Sequence, residues 1–330
     1  MPNTEFPKKS IHVSGIDVIQ LVRDSFRLGY ALKGIDAYVA VLKPAKNLTS
    51  FLQDHLVKMY KYDFKEDGAR MLWVIRDLRL GEKTGMMEYT YPRFAADGYI
   101  SKDGNAYKLI GSMDTVFVGE TSGDATNWHG DDIEFALKTF LRKVLPLAGP
   151  VLNNNEAGIS VEEIKKRSAR NTDYPIMKDT SYREGAYAGY AEFLQNNPSI
   201  KDYEAVVTDK KTICLLRKAT TKDTLAVWGL CSKGELYRYY NGMLIPIEVQ
   251  GNSILISDFV ENSNKHNRNV AFFAMLGGAA GGLVGGALAG GAASIRKRKL
   301  MLVDAIPYIR NPRKQPVASC INIDTGELDF

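Results

Sequence analysis

The chain is short of the residues that most often announce chemistry. Three cysteines, Cys214, Cys231 and Cys320, are scattered over 330 residues. An odd, dispersed set argues against a disulfide framework, and the absence of any CxxC spacing argues against a cysteine zinc site. Cys214 sits in the apolar run Ile213-Cys214-Leu215-Leu216 and reads as a small core residue. It falls in the strand next to that of Cys231, so one pairing stays geometrically open. There are four histidines, His12, His55, His129 and His266, and none recurs at metal-ligand spacing. No P-loop, no GxGxxG after a strand, no GxSxG and no HExxH occurs. No cofactor, no metal and no catalytic residue is therefore expected. Charge of one sign is also scarce: 43 basic against 38 acidic residues leave a net charge of +5. The single basic cluster is Arg296 to Lys299. Nucleic-acid binding shows a much stronger basic stripe, so no nucleic acid is expected as a partner. The opening MPNTEFPKKS lacks the apolar core of a secretory leader.

What is present is an ordinary globular composition, 45% hydrophobic and 25% charged, at a length that suggests two domains. The first is expected over 11–150. Leu48, Phe51, Leu52, His55, Leu56 and Met59 share one face at helical spacing over 47–60, with Asn47 or Thr49 as the cap. Strand formers follow at 71–80, 87–100 and 106–118, with Asp103-Gly104 as a hairpin turn. A further strand is expected at 36–43. Ile133, Leu137, Phe140, Leu141 and Val144 make the apolar stripe of a helix over 131–145, opened by Asp131 and Asp132. This is an α+β layer: a small sheet with covering helices.

Gly, Pro and Asn at 149–160 read as a linker. Ser160 with Glu163 marks the capping box of a short helix over 160–169. The second domain, 160–330, is expected to be mostly antiparallel β. Its strands fall at 204–208, 211–218, 223–230, 234–240, 243–249 and 253–260, then at 300–309 and 318–323. Turns such as Asn241-Gly242 set a meander.

One segment interrupts that meander. Residues 270–295 read VAFFAMLGGAAGGLVGGALAGGAASI, without a charge. As a helix the run is about 39 Å long, enough for a ~30 Å hydrocarbon core. Gly277, Gly281 and Gly285 form one row at four-residue spacing; Gly278, Gly282, Gly286 and Gly290 form a second beside it. Two adjacent rows make a flat strip on which another helix packs closely. An exposed helix in water is disfavoured, since eight glycines cost roughly 8 kcal/mol of propensity relative to alanine. The segment is therefore expected in a membrane or in an oligomeric helix interface. Strands on both sides of it pose a difficulty, because a single crossing would separate 300–330 from the sheet they belong to.

The pattern GGAAGGLVGGALAGG (277–291) resembles the glycine-zipper segments of bacterial envelope lipoproteins and surface antigens. The stretch LWVIRDLRL, its hairpin and the helix DDIEFALKTFLRKVL look like the N-terminal layout of auxiliary envelope lipoproteins of transport systems. The strings YREGAYAGYAEFLQNNPSI and VWGLCSKGELYRYYNG resemble envelope proteins of the Bacteroidetes type. These resemblances imply a non-enzymatic protein of the bacterial cell envelope, in the periplasm or outer membrane if a leader was removed from the mature chain; a cytosolic protein is the alternative. The envelope protein would bind a protein or envelope partner and be anchored or oligomerised by the zipper. The alternative is a soluble ligand-binding protein, with Trp228, Tyr237, Tyr239 and Tyr240 lining a groove. Two further constellations need testing against geometry. One is a cation site at His129 with Asp124, Asp131 and Asp132. The other is an acid/base pair of Asp97 and Asp114 across the hairpin, with Asp131 nearby.

Overall fold

The computed structural model describes residues 11–33, 38–83, 87–169, 173–207, 214–260, 303, 306, 309, 311 and 314–330. The zipper residues Gly277, Gly278, Gly281, Gly282, Gly285, Gly286 and Gly290 lie outside the described residues. The chain is an α+β protein with mostly antiparallel sheets. It divides into two units, Met1–Ala31 with Val41–Arg170, and Leu32–Ala40 with Asn171–Phe330.

From the N-terminus the chain forms β1 (Val13–Gln20), β2 (Gly29–Lys33), β3 (Tyr38–Leu42), α1 (Leu48–Tyr60), β4 (Ala69–Lys83), β5 (Glu88–Ser101), β6 (Lys108–Val116), β7 (Gly119–Thr121), α2 (His129–Asn153) and α3 (Val161–Ser168). The sheet runs β3-β2-β4-β5-β6, with β1 also beside β4 and β7 beside β5. β1 and β2 lie parallel to β4, whereas β4, β5 and β6 are antiparallel. Met71, Trp73 and Ile75 face α1 and α2, and Leu72 and Val74 face the other way with Ile164 of α3. A bulge between Ile75 and Asp77 then shifts the alternation by one residue. Leu78 and Leu80 stay in the core, and Asp77 and Arg79 do not.

The helices form where the apolar spacing places them. Asn47 caps α1, its side chain accepting from the Thr49 and Ser50 amides. Leu48, Leu52, Leu56 and Tyr60 recur every fourth residue and are buried. Gln53 of the same helix closes the edge of β1, accepting from Val18 N at 3.1 Å and donating to Ile16 O at 2.6 Å. In α2 the expected stripe is buried, and Phe140 meets Trp73 edge-on at 4.8 Å. This helix is longer than its stripe suggested. It passes through Pro146 and Pro150 to Asn153, so the first part of the expected linker is helical. Buried Val144, Leu145 and Ala148 hold these turns on the sheet, which offsets the hydrogen bonds the prolines remove.

The second unit contains α4 (Pro175–Lys178), β8 (Gly185–Tyr187), α5 (Tyr190–Leu194), β9 (Glu204–Val207), β10 (Cys214–Arg217), β11 (Gly229–Ser232), β12 (Glu235–Tyr240), β13 (Met243–Gln250), β14 (Ser253–Ile256), β15 (Cys320–Ile321) and β16 (Leu328–Asp329). Its main sheet is antiparallel in the order β16-β15-β14-β13-β12-β11-β8, and β9 and β10 pair separately. Lys233-Gly234 and Asn241-Gly242 carry consecutive positive φ values, the backbone that a two-residue hairpin turn demands. The strand expected over 223–230 is confined to its end. Leu225 and Trp228 make single bonds to Leu216 and Tyr187, and the ladder starts at Gly229. β14 and β15 are neighbours, with Leu255 opposite Cys320.

Candidate functional site

One reading from the sequence dissolves in the geometry. Asp97 lies opposite Ser112 and Asp114 opposite Ala95, so the two carboxylates do not face each other. Each has its own arginine: Asp97 meets Arg76 at 3.0 Å, and Asp114 meets Arg93 at 3.2 Å. Asp77 joins Arg79 and Arg93 into the same row of alternating charge. Asp131 is exposed at the start of α2. These three carboxylates do not converge on one acid/base centre. Of the four aromatics read as a groove lining, Tyr237, Tyr239 and Tyr240 are half-buried. Trp228 is a core residue, its ring 4.4 Å from Phe193 and 5.1 Å from Tyr190, and its Nε1 donates to Gly326 O at 2.9 Å. Tyr237 and Tyr239 pack against Leu216, Leu230 and Leu244. Cys231 is buried and free, and burial pushes its thiol up to about 11.

The concentration of buried polar groups lies elsewhere, at the first turn of α2. Because of the bulge in β4, Glu82 follows Leu78 and Leu80 on the inner face. Glu82 pairs with Thr90 of β5, and Thr90 pairs with Gly119 of β7, so the three form one cross-strand row. His129 opens α2 one turn before Ile133 and points inward with it. Its Nε2 lies 2.5 Å from Glu82 Oε1, and its Nδ1 lies 3.7 Å from Asp132 Oδ2. Glu82, Thr90 and His129 are 5%, 2% and 6% exposed. The 3.7 Å contact is an ionic one, too long for a hydrogen bond. Thr90 Oγ1, His129 Nδ1 and Asp132 Oδ2 are sealed from solvent and make no hydrogen bond among the described residues. A Cβ at Gly119 would stand 2.3 Å from Thr90 Oγ1 and 3.7 Å from Asp132 Oδ1, so any other residue there must displace the Thr90 hydroxyl. Glu88 of β5 braces the entry to the helix, accepting from Ala125 N at 2.7 Å. Asp124 caps the preceding turn, accepting from Thr126 N.

Burial alone would lower the His129 pKa. Asp132 and Glu82 outweigh it, and the value lies above the ordinary 6.5. The imidazole is thereby held between two carboxylates at a helix N-terminus, the end of the dipole that favours negative charge.

Comparison with known proteins gives little to set beside this geometry. No family model matches the chain. No curated protein matches it. Among solved structures, a crystal structure of a Xanthomonas campestris protein described by the family model DUF330 is 15% identical at a TM-score of 0.29, covering 44% of this chain and 87% of that one. A superposition that loose carries no argument about site or fold.

The group therefore has to be read from its own atoms. It ties β4 to α2 through the contact of Glu82 with His129. A cation site at His129 is not assembled: Asp124 caps the preceding turn, Asp131 faces solvent, and the imidazole is committed to Glu82. Among the described residues no set of three His, Cys, Asp or Glu side chains is placed to hold a metal. Glu82, Thr90 and Gly119 were not singled out by the sequence, although a carboxylate two residues beyond Leu80 was a visible signal.

Proposed function

We propose that the chain is a non-enzymatic protein of the bacterial cell envelope that binds a protein or envelope partner. Residues 270–295 attach it to a bilayer surface, or to further copies of itself, from one side. The observation that carries the one-sidedness is the pairing of β14 with β15. The chain leaves the sheet after Ile256 and returns to the neighbouring strand at Cys320. Between them lies one long uncharged run, with Arg296-Lys297-Arg298-Lys299 directly after it. A single crossing would put β15 and β16 on the far side of the membrane from β14. A hairpin crossing is too short, since each half of the run as a helix spans roughly 20 Å of a ~30 Å core. Shallow insertion from one face keeps the sheet whole. The four basic residues add to it, each worth about 1 kcal/mol near an anionic leaflet. Self-association through the two glycine rows satisfies the same constraint. Among the described residues no helix is long and apolar enough to cross a membrane.

The test is light scattering after size-exclusion chromatography, in buffer and in mild detergent, on the full chain and on Gly281→Leu/Gly285→Leu. The full chain is expected to run as an oligomer or as a detergent-bound particle. Filling the glycine rows is expected to abolish the oligomer or alter detergent uptake. A full chain and variant that both run as bare monomers in either medium would sink the proposal.

A further inference from the structure

Arg238, at the centre of β12, is 7% exposed, and its guanidinium is divided in use. Nη1 donates to Trp228 O at 2.5 Å and to Tyr239 O at 2.7 Å, which fixes the plane of the group. The Trp228 ring lies 4.8 Å away and the Tyr240 ring 5.9 Å away. Two neutral carbonyls and two ring faces hold the cation without neutralising it. The opposite edge, Nε with Nη2, is the one whose parallel donors match a carboxylate. Nε is buried and, among the described residues, has no hydrogen-bond partner. Among the described residues the counter-ion in reach of Nη2 is Glu327 at 3.7 Å, beyond hydrogen-bonding distance and 66% exposed. Glu327 follows the Asp324-Thr325-Gly326 turn, whose Gly326 carbonyl is held by Trp228.

We propose that the Nε/Nη2 edge of Arg238 is a receptor for a carboxylate from outside the chain, and that Glu327 is the side chain it displaces. The buried fork supplies two charge-assisted donors in fixed geometry. Glu327, reaching in from solvent, occupies the approach loosely and can swing clear without unfolding its turn. The ligand is a free carboxylic acid or the C-terminal carboxylate of a peptide, since the fork reads only the group both share. This inference is independent of the role proposed for 270–295.

The experiment follows the Arg238 Nε–H resonance in the full chain, assigned by its loss in Arg238→Lys. Three probes are titrated: sodium acetate at constant ionic strength against chloride, a short acetylated peptide with a free C-terminus, and the same peptide amidated. A saturable shift with acetate or the free-acid peptide, absent with chloride and the amide, is expected. A response to acetate as strong as that to the peptide marks a small acid; a response to the peptide alone marks a chain terminus. Glu327→Gln removes the competitor and should tighten binding by up to about fivefold, the worth of an exposed ion pair. No saturable shift in the full chain or in Glu327→Gln, or binding weakened by Glu327→Gln, would overturn the proposal. Glu327→Gln retains a folded sheet as the working variant should Arg238→Lys prove unstable.

Discussion

Glu82→Ala is expected to destabilise the first unit by about 3–5 kcal/mol, the range found when one member of a buried ion pair is removed. The reason is the position of His129 rather than the worth of the pair. Glu82 Oε1 stands 2.5 Å from Nε2 inside the sheet–helix interface, and Asp132 is too distant to take over its hydrogen bond. Without Glu82 the imidazole gives up its proton or keeps a buried charge with one distant partner, and both cost folding energy. Glu82→Gln keeps a hydrogen-bonding side chain and should lose less. Urea unfolding followed by circular dichroism checks both. A loss below about 1 kcal/mol for Glu82→Ala would mean that α2 is held by Ile133, Leu137 and Phe140 alone.

The same group sets a pH dependence with a definite sign. Its folded pKa lies above the ordinary 6.5 because Asp132 and Glu82 together outweigh the opposing effect of burial. A group raised on folding gives its full stabilisation below the unfolded value, and that stabilisation falls away as pH rises through the folded value. The chain is therefore expected to lose stability on moving from mildly acidic to mildly alkaline buffer. His129→Gln should flatten that part of the profile. A wild-type profile that is flat above pH ~6.5, or one that keeps its slope in His129→Gln, contradicts the assignment.

Why the sequence revealed so much of the fold and so little of this site comes down to periodicity. Leu48, Leu52 and Leu56, and the stripe from Ile133 to Val144, are regular at helical spacing, and both helices appear where that spacing puts them. Strands β4, β5 and β6 were likewise legible from their composition. The bulge at Ile75/Asp77 was not. A constant alternation from Met71 would turn Asp77, Arg79 and Gly81 inward and Glu82 outward; the extra residue reverses this. His129 shows the complementary failure. It continues the stripe of Ile133 one turn earlier, but a histidine beside two aspartates at a helix start also fits a solvated cap. Only the row Glu82-Thr90-Gly119 beneath it separates the two. Arg238 was hidden because a charged residue in a β meander reads as surface until its carbonyl partners are seen. β1, β2, α4, β8 and α5 are short or lack a strong period, and their pairing comes from contacts distant in sequence.

The second large effect is expected at Gly326. Its φ of +76° lies in the left-handed region, where a side chain costs about 1–2 kcal/mol. A Cβ there would also lie 2.4 to 2.8 Å from three atoms of the Tyr190 ring. That ring has little room to retreat. It stacks on Phe193 at 6.0 Å, lies 5.1 Å from Trp228, and its hydroxyl donates to Ile323 O at 2.7 Å. The Gly326 carbonyl in turn accepts from Trp228 Nε1. The turn thus closes the aromatic core formed by α5 and the residue preceding β11, and the adjoining strands β15 and β16 depend on it. Adding the cost of overpacking, about 1–3 kcal/mol, gives an expected loss of about 2–5 kcal/mol for Gly326→Ala. The second unit should unfold at lower denaturant while the first keeps its midpoint. Trp228 fluorescence in a Trp73→Phe/Trp128→Phe background reads the second unit. A pair of Trp228→Phe variants, with and without Gly326→Ala, reads the first. If both midpoints fall together, the two units unfold as one cooperative body and Gly326 acts on the whole chain. If neither falls, Tyr190 swings aside at little cost, and the turn does not close the core.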